Sequence, residues 1–378
     1  MGEAVESHAA RVLGRIGPGV RADLALRGYL SRNGRLAEAG KRSVSRAVHS
    51  YYRWLSWLDP AASFQKQVRG ALEMQERFER DPGSVKPEAL AARAVPDWLS
   101  GEMALSADFL RQLQQEPPLW IRPKLGKEAE VERALGACSR PAFSGPLEPP
   151  ARLSSLRYLG SADLHRSGPF QSGIFEIQDI SSQLVGLACA PAGGETWWDA
   201  CAGEGGKTLH LSDLMGNKGL VIATDRSKGR IAILKLRAAR AGVFNYRASV
   251  RAGGAPAMRT PCHGVLVDAP CSGAGTWQRN PQARWTTSVD DVRELAAVQE
   301  ALLDRAAAAV RPEGRLVYSV CTLTRTETAG VADRFEERHP DFEPLALPIG
   351  PPAAARVALQ PQEVNGNGMF IAGWRRRR

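Results

Sequence analysis

The sequence predicts an α/β protein, with a doubly wound sheet in its carboxyl-terminal part preceded by an all-helical segment and a small α+β module. Three observations carry that reading. From Gly173 onward, short apolar runs rich in β-branched residues alternate with helical periodicities, the pattern left by parallel strands joined by crossover helices. The first of those strands, Thr196–Asp199, runs straight into a glycine loop that opens a helix. Between about residues 20 and 78 the apolar residues instead recur at helical steps throughout.

Composition narrows the function classes. A chain of 378 residues allows two or three domains at about 100–200 residues each. With 43% hydrophobic and 24% charged residues it is ordinary for a globular protein. The net charge of +10 and pI near 9.6 favour a polyanionic partner. Nucleic acid suits this better than a membrane, because no long basic amphipathic helix dominates. The first residues, MGEAVESHAARV, lack the apolar stretch of a signal peptide, Glu6 breaks the myristoylation pattern, and no run of about 18 apolar residues is present to span a bilayer. A cytoplasmic location, no membrane partner and a monomer are expected. Six cysteines without a CxxC pair give no zinc signature, so no metal is expected. In a reducing compartment such scattered cysteines are buried or catalytic more often than bridged.

The clearest amino-terminal helix spans 43–58. Val44, Val48, Tyr51, Leu55 and Leu58 form its apolar face, and Arg42, Arg46, His49 and Arg53 repeat the same steps on the opposite face. That basic side is either an ordinary solvated surface or an RNA contact. Residues 80–97 are punctuated by Pro and Gly and mark a boundary, giving a helical domain at 1–85. A strand at 118–123, a helix at 127–135 and a proline-rich stretch to about 150 make the α+β module, 86–169. The α/β domain then occupies 170–378, and no solenoid repeat is found.

Within that domain, Ile180–Cys189 is a helix and Thr196–Asp199 the first strand. The loop that follows, Cys201-Ala202-Gly203-Glu204-Gly205-Gly206-Lys207-Thr208, lets backbone N–H groups approach a ligand at a helix amino terminus. A phosphate loop of the NTPase type needs glycine where Cys201 stands, which disfavours that alternative. The second strand, 220–224, ends at Asp225, the position from which a carboxylate can accept both ribose hydroxyls of a nucleoside cofactor. A capping role competes, because Ser227 and a helix at 228–241 follow directly. Arg230 in that helix is either solvated or laid over the cofactor.

The fourth and fifth strands, 264–267 and 315–320, deliver Asp268 with Cys271, and Cys321, to the carboxyl edge of the sheet. Wound in the usual way the two strands are neighbours, and both cysteines face one cleft. For either cysteine alone, a buried structural thiol is the simpler reading. Thr324-Arg325-Thr326-Glu327 has the capping-box pattern, however, so a helix is expected just beyond Cys321, with its positive end stabilising a thiolate.

Asp268-Ala269-Pro270-Cys271-Ser272-Gly273, with Arg279-Asn280-Pro281 and Trp285, resembles the fourth motif of the Sun/RsmB-type (Nop/Sun family) RNA (cytosine-5) methyltransferases. Tyr318-Ser319-Val320-Cys321-Thr322-Leu323 resembles their sixth. QDISSQL at 178–184, the CAGEGGKT loop, HPDF at 339–342 and Gly368-Met369-Phe370-Ile371-Ala372 extend the likeness over about 170–373. The helical segment resembles, more loosely, the NusB-like RNA-binding domain that some members carry.

The resemblance implies a Rossmann-like class I methyltransferase domain, S-adenosylmethionine as cofactor, and an RNA substrate, ribosomal RNA being the commonest target of members with a NusB-like segment. It implies Cys321 as the nucleophile that adds to carbon 6 of cytosine, Asp268 at ring nitrogen 3, Pro270 shaping its loop, and Cys271 assisting product release. The two sulfurs are expected on opposite sides of one flipped pyrimidine, which must be in a single-stranded or loop region. Cofactor contacts carry over to the backbone of Cys201, Ala202, Gly203, Glu204, Gly205, Gly206 and Lys207, to Asp225 and to Asp268. The chain departs from the family pattern in three places: Gly203-Glu204 replaces Ala-Pro, no acid ends the third motif, where Ser249 could substitute only in part, and Glu327 is followed by Thr328 rather than Asn. The rival reading is a noncatalytic RNA-binding or ribosome-assembly factor that keeps the fold. A DNA methyltransferase is disfavoured, since such enzymes use the cysteine of the fourth motif. The carboxyl-terminal Trp374-Arg375-Arg376-Arg377-Arg378 is a solvated basic tail that could add salt-sensitive phosphate affinity.

Overall fold

The computed structural model describes residues 2–17, 19–145, 147–251, 261–350 and 353–378. It divides into two compact units, Met1–Pro117 with Thr276–Val289, and Pro118–Gly275 with Asp290–Arg378.

The first unit is helical. Its central helix runs Glu38–Arg53, starting earlier than the expected 43 and stopping before 58. Trp54 leaves helical geometry and is fully buried, its Nε1 donating to Gln75 Oε1 at 2.9 Å, and a short 3-10 turn, Leu55–Trp57, follows. Val44, Ala47, Val48 and Tyr51 pack on Ala9, Val12, Leu26 and Val68, each fully buried Val contributing about 1.5–3 kcal/mol relative to exposure. The expected basic face does not survive as one surface. Arg53 is buried, donating to Gln75 Oε1 at 3.2 Å and the Gln278 carbonyl at 3.3 Å, and burial brings its pKa down to about 10. Arg46 is paired with Glu79 and Glu116, while Arg42 stays exposed. The reason lies in the helix Phe64–Arg80, which covers the supposedly solvated side with Gln75 and Glu79.

This unit continues past the expected boundary at 85, through the helices Pro87–Arg93 and Ala107–Gln114, to Pro117. It also takes in 276–289. Arg284 is fully buried and donates to the carbonyls of Ala94 at 2.8 Å and Leu113 at 3.0 Å. Gln282 bridges the backbone of Val20 and Ala22, and Trp285 Nε1 donates to the Tyr52 carbonyl. Arg279, Asn280, Pro281 and Trp285 therefore belong structurally to the helical unit.

In the second unit, β1 (Leu119–Pro123), β2 (Cys138–Ser139), β3 (Leu156–Tyr158) and β4 (Phe175–Ile177) form an antiparallel sheet in the order β2-β3-β1-β4. The α+β module thus closes with a strand beyond 169. The larger sheet holds β5 (Thr196–Asp199), β6 (Leu220–Asp225), β7 (Tyr246–Val250), β8 (Cys262–Asp268), β9 (Val310–Val320), β10 (Phe342–Pro344), β11 (Arg356–Leu359) and β12 (Met369–Arg376). Its order is β10-β12-β9-β8-β5-β6-β7, with β11 on β12. The five strands β5 to β9 are parallel, and β12 lies antiparallel on β9. As expected, β8 and β9 are neighbours, with Asp268 opposite Ser319. The near-continuous apolar character of β8 and β9 matches burial on both faces, with Val265, Leu266, Val267, Leu316 and Val317 fully enclosed. Gly264 of β8 makes room for Trp197 of β5, since a Cβ there would stand 2.3 Å from the indole ring. Among the described residues, no helix is long and apolar enough to cross a membrane.

Candidate active site

A cavity of about 580 Å³ opens at the carboxyl ends of β5, β6 and β8, where ligands sit in open α/β sheets and within the size range of small-molecule sites. Its floor is the loop after β5. Gly205 adopts φ +88°, and a Cβ on it would lie 2.7 Å from Leu234, so only glycine turns the chain there into the helix Gly206–Leu214. Cys201, Ala202, Gly203, Glu204, Gly206 and Lys207 line the cavity. Gly205 does not; it faces Leu234 and Leu209 instead.

Asp225 lies at the cavity wall at the end of β6. The competing local role is seen in its carboxylate, and a loop contact with it: Oδ1 accepts from Ser227 N at 2.8 Å and Oδ2 from Gly203 N at 3.0 Å. Ser227 in turn caps the helix Lys228–Arg240. Each carboxylate oxygen keeps a further lone pair for a hydroxyl donor. Arg230 is exposed and lines the cavity. Ser249 is exposed and is not among the lining residues, whereas Arg251 and Trp198 are, with the guanidinium 5.9 Å from the indole centroid. Val298, Leu302 and Arg305 of the helix Val289–Ala307 complete the wall.

Asp268 ends β8 and is held from two sides. Oδ2 accepts from Lys207 Nζ at 2.7 Å and Oδ1 from Ser319 Oγ at 2.8 Å. Burial opposes the charge on Lys207, but the contact with Asp268 outweighs it and the ammonium pKa is raised. The sequence motif marks Lys207 through its backbone; its side chain turns out to be a direct partner of the expected catalytic acid. Asp199, fully buried at the end of β5, accepts from Thr208 Oγ1 at 2.7 Å, and burial pushes its pKa up to about 7.

Cys271 and Cys321 come together, with 3.3 Å between their sulfurs. Cys271 lines the cavity with Pro270, and Cys321 reaches it through that contact. The two sulfurs are in contact, so a ring could lie between them only once Cys271 is displaced from Cys321. The cause is local: Gly275 N donates to the Cys321 carbonyl at 3.1 Å, drawing the two cysteine-bearing segments across each other.

The expected capping box does not form either. Arg325–Glu327 is a 3-10 turn, and the helix starts only at Ala329. Thr324 Oγ1 donates to Glu327 Oε2 at 2.8 Å rather than capping a backbone N–H. The cation in this neighbourhood is instead the Lys207 ammonium, whose pKa is raised chiefly by Asp268 and to a lesser degree by Cys321. Gln299, Tyr318 and Glu327 are all fully buried around the Cys271 loop; Tyr318 and Glu327 lie in stretches the sequence marked for other reasons, while Gln299 carried no signal. Among the described residues no cluster of His, Cys, Asp or Glu could hold a metal ion.

Comparisons with known proteins place the chain in a family. A family profile described as 16S rRNA methyltransferase RsmB/F matches residues 186–375. A Bacillus subtilis protein described as probable ribosomal RNA small subunit methyltransferase B is 38% identical over 219 residues, 55% of this chain and 49% of that one. The protein of the same description from Synechocystis is 34% identical over 330 residues, 81% of this chain and 73% of that one. The alignments thus span from about half to about three quarters of these relatives' lengths. The crystal structure of NSun6 from Pyrococcus horikoshii with SFG shares the fold, at a TM-score of 0.61 and 19% identity over 72% of this chain and 94% of that one. The chain belongs to the 16S rRNA methyltransferase RsmB/F family.

Proposed function

We propose that this chain methylates carbon 5 of a cytosine in small-subunit ribosomal RNA, with Cys321 as nucleophile and S-adenosylmethionine as cofactor. The observation that carries the reading is the thiol pair at the ends of β8 and β9, set beside the Lys207–Asp268 ion pair at the mouth of one cavity. Family membership supports the same chemistry.

The residues suit the cofactor. The loop 201–207 without Gly205, backed by the amino terminus of Gly206–Leu214, would take its carboxylate end, Asp225 its ribose, and the Trp198 and Leu302 side of the cavity its apolar surface. SFG, found with the NSun6 neighbour, is an analogue of the same molecule. When bound, S-adenosylmethionine supplies an electrophilic methyl group.

Carbon 5 of cytosine is too poor in electrons to take a methyl group unaided. A Cys321 thiolate adding to carbon 6 pushes the electron pair of the 5,6 double bond toward carbon 5 and the ring. Asp268, locked by Lys207 and Ser319, would meet ring nitrogen 3 and stabilise the charge that develops there. After substitution at carbon 5, loss of its proton and departure of the Cys321 sulfur restore the double bond, with Cys271 assisting release. Because the sulfurs touch, the base must displace Cys271 from Cys321 as it enters, so this chemistry needs an unstacked cytosine.

The test is incubation with methyl-labelled S-adenosylmethionine and unmodified small-subunit ribosomal RNA, followed by bisulfite sequencing. Label should appear at one or a few cytosines and vanish with Cys321→Ala. Label on another base, or none despite measurable cofactor binding, would overturn the reading.

A further inference from the structure

We infer that Glu327 is a positioning residue of the paired-cysteine site, a buried carboxylate that clamps the Cys271 loop to the Cys321 segment and so keeps their sulfurs in contact. The inference rests on the reading of these cysteines as the reacting groups. Glu327 sits on the turn Arg325–Glu327 with no solvent exposure. A carboxylate so placed is costly unless its oxygens are hydrogen-bonded, and here all the donors come from the two segments or from the helix beneath them. Oε1 accepts from Ser272 N and from Gln299 Nε2, each at 2.9 Å. Oε2 accepts from Thr324 Oγ1 at 2.8 Å and from Ser272 Oγ.

The same network holds the backbone on both sides of Cys271. Gln299 Nε2 also donates to the Pro270 carbonyl at 2.9 Å, while the Ser272 N–H is taken by Glu327. Toward Cys321, Ser272 Oγ meets Thr322 Oγ1 at 3.0 Å. Tyr318 OH closes the ring of contacts, lying 2.7 Å from the Glu327 carbonyl and 2.9 Å from Gln299 Oε1. Gln299, Tyr318, Thr322 and Thr324 are as fully buried as Glu327 itself.

The clamp also brings a charge. The Cys271 thiol is pushed well above its ordinary range, first by its contact with Cys321, then by burial, then by the charges of Cys321 and Glu327. The other groups facing it are Tyr318 of β9, together with Asp268, Lys207 and Arg305 around the shared cavity. Glu327 therefore works to keep the proton on Cys271.

The test uses the full chain with neither RNA nor S-adenosylmethionine, so a chain that fails to methylate RNA would still report on the clamp. Diamide takes two electrons and two protons from a thiol pair and leaves a disulfide, at a rate set by how often the sulfurs meet. Disulfide formation between Cys271 and Cys321 should slow by about tenfold in Glu327→Ala and by roughly threefold in the isosteric Glu327→Gln, as buried donors lose their acceptor. Peptide-resolved alkylation with iodoacetamide should also find the Cys271 pH midpoint displaced to lower pH in Glu327→Gln, which keeps the side-chain volume while removing the charge and one acceptor oxygen. Thermal unfolding establishes that each variant is folded, and if Glu327→Ala is not, Glu327→Gln decides alone. A folded Glu327→Gln with unchanged cross-linking and an unchanged alkylation profile would overturn the clamp, whatever the outcome with RNA.

Discussion

At the scale of single residues, the site is organised by how it places charge in a dry setting. Lys207 pairs with Asp268 at 2.7 Å at the mouth of the cavity, while Asp199, lower on the sheet, has no cation within hydrogen-bonding reach among the described contacts. Its pKa of about 7, against an ordinary 3.8, follows first from burial. A raised carboxyl pKa means that the folded state binds the proton more tightly than the unfolded chain does. Below 3.8 both states are protonated and no penalty exists; between 3.8 and 7 the penalty grows with pH, and above 7 it is complete. Asp199→Asn should therefore remove a fall in stability on the order of a few kcal/mol across that window. Thermal midpoints recorded from pH 4 to pH 8 measure it: the curves of the two proteins should diverge as pH rises, and parallel curves would show that Asp199 titrates normally.

At the scale of elements, close backbone approaches set the position of the chemistry. The Gly275 N–H donates to the Cys321 carbonyl, and the Gly275 carbonyl accepts from Gly368 N at 2.8 Å, so the loop after β8 is stitched to both β9 and the lead into β12. A Cβ on Gly275 would stand 2.1 Å from the Gly368 carbonyl oxygen. Gly275→Ala should cost about 1–3 kcal/mol of stability through forced backbone shifts, measured by urea unfolding, and an unaltered midpoint would count against that packing. The strands and helices of the parallel sheet were legible because their signals are local: Ile180–Cys189 and Thr196–Asp199 stand where periodicity put them. The turn after Cys321 was not, because Thr324 and Glu327 have capping-box spacing but Thr324 spends its hydroxyl on the Glu327 carboxylate, and Glu327 accepts from Ser272 and Gln299, 55 and 28 positions away.

At the scale of the whole molecule, the limit of sequence reading is the same one written larger. Arg53 was placed by helical phase on an exposed basic face, solvated or in contact with RNA, yet it is enclosed by Gln75 and by Gln278, which is 225 positions away. Nothing local announces that 276–289, the continuation of the Cys271 loop, folds into the helical unit through Arg284 and Gln282. The paired cysteines were found because their motifs repeat at two strand ends; that their sulfurs touch could only be seen once the register of β8 on β9 was known. The central claim is that Cys321 attacks the base and Cys271 serves the later release. It is tested most directly by incubating Cys271→Ala with small-subunit ribosomal RNA and S-adenosylmethionine, digesting the product, and locating by tandem mass spectrometry the peptide that carries a nucleotide. The account predicts a stable adduct on Cys321, lost when Cys321 is also changed to Ala; an adduct on any other residue would contradict it.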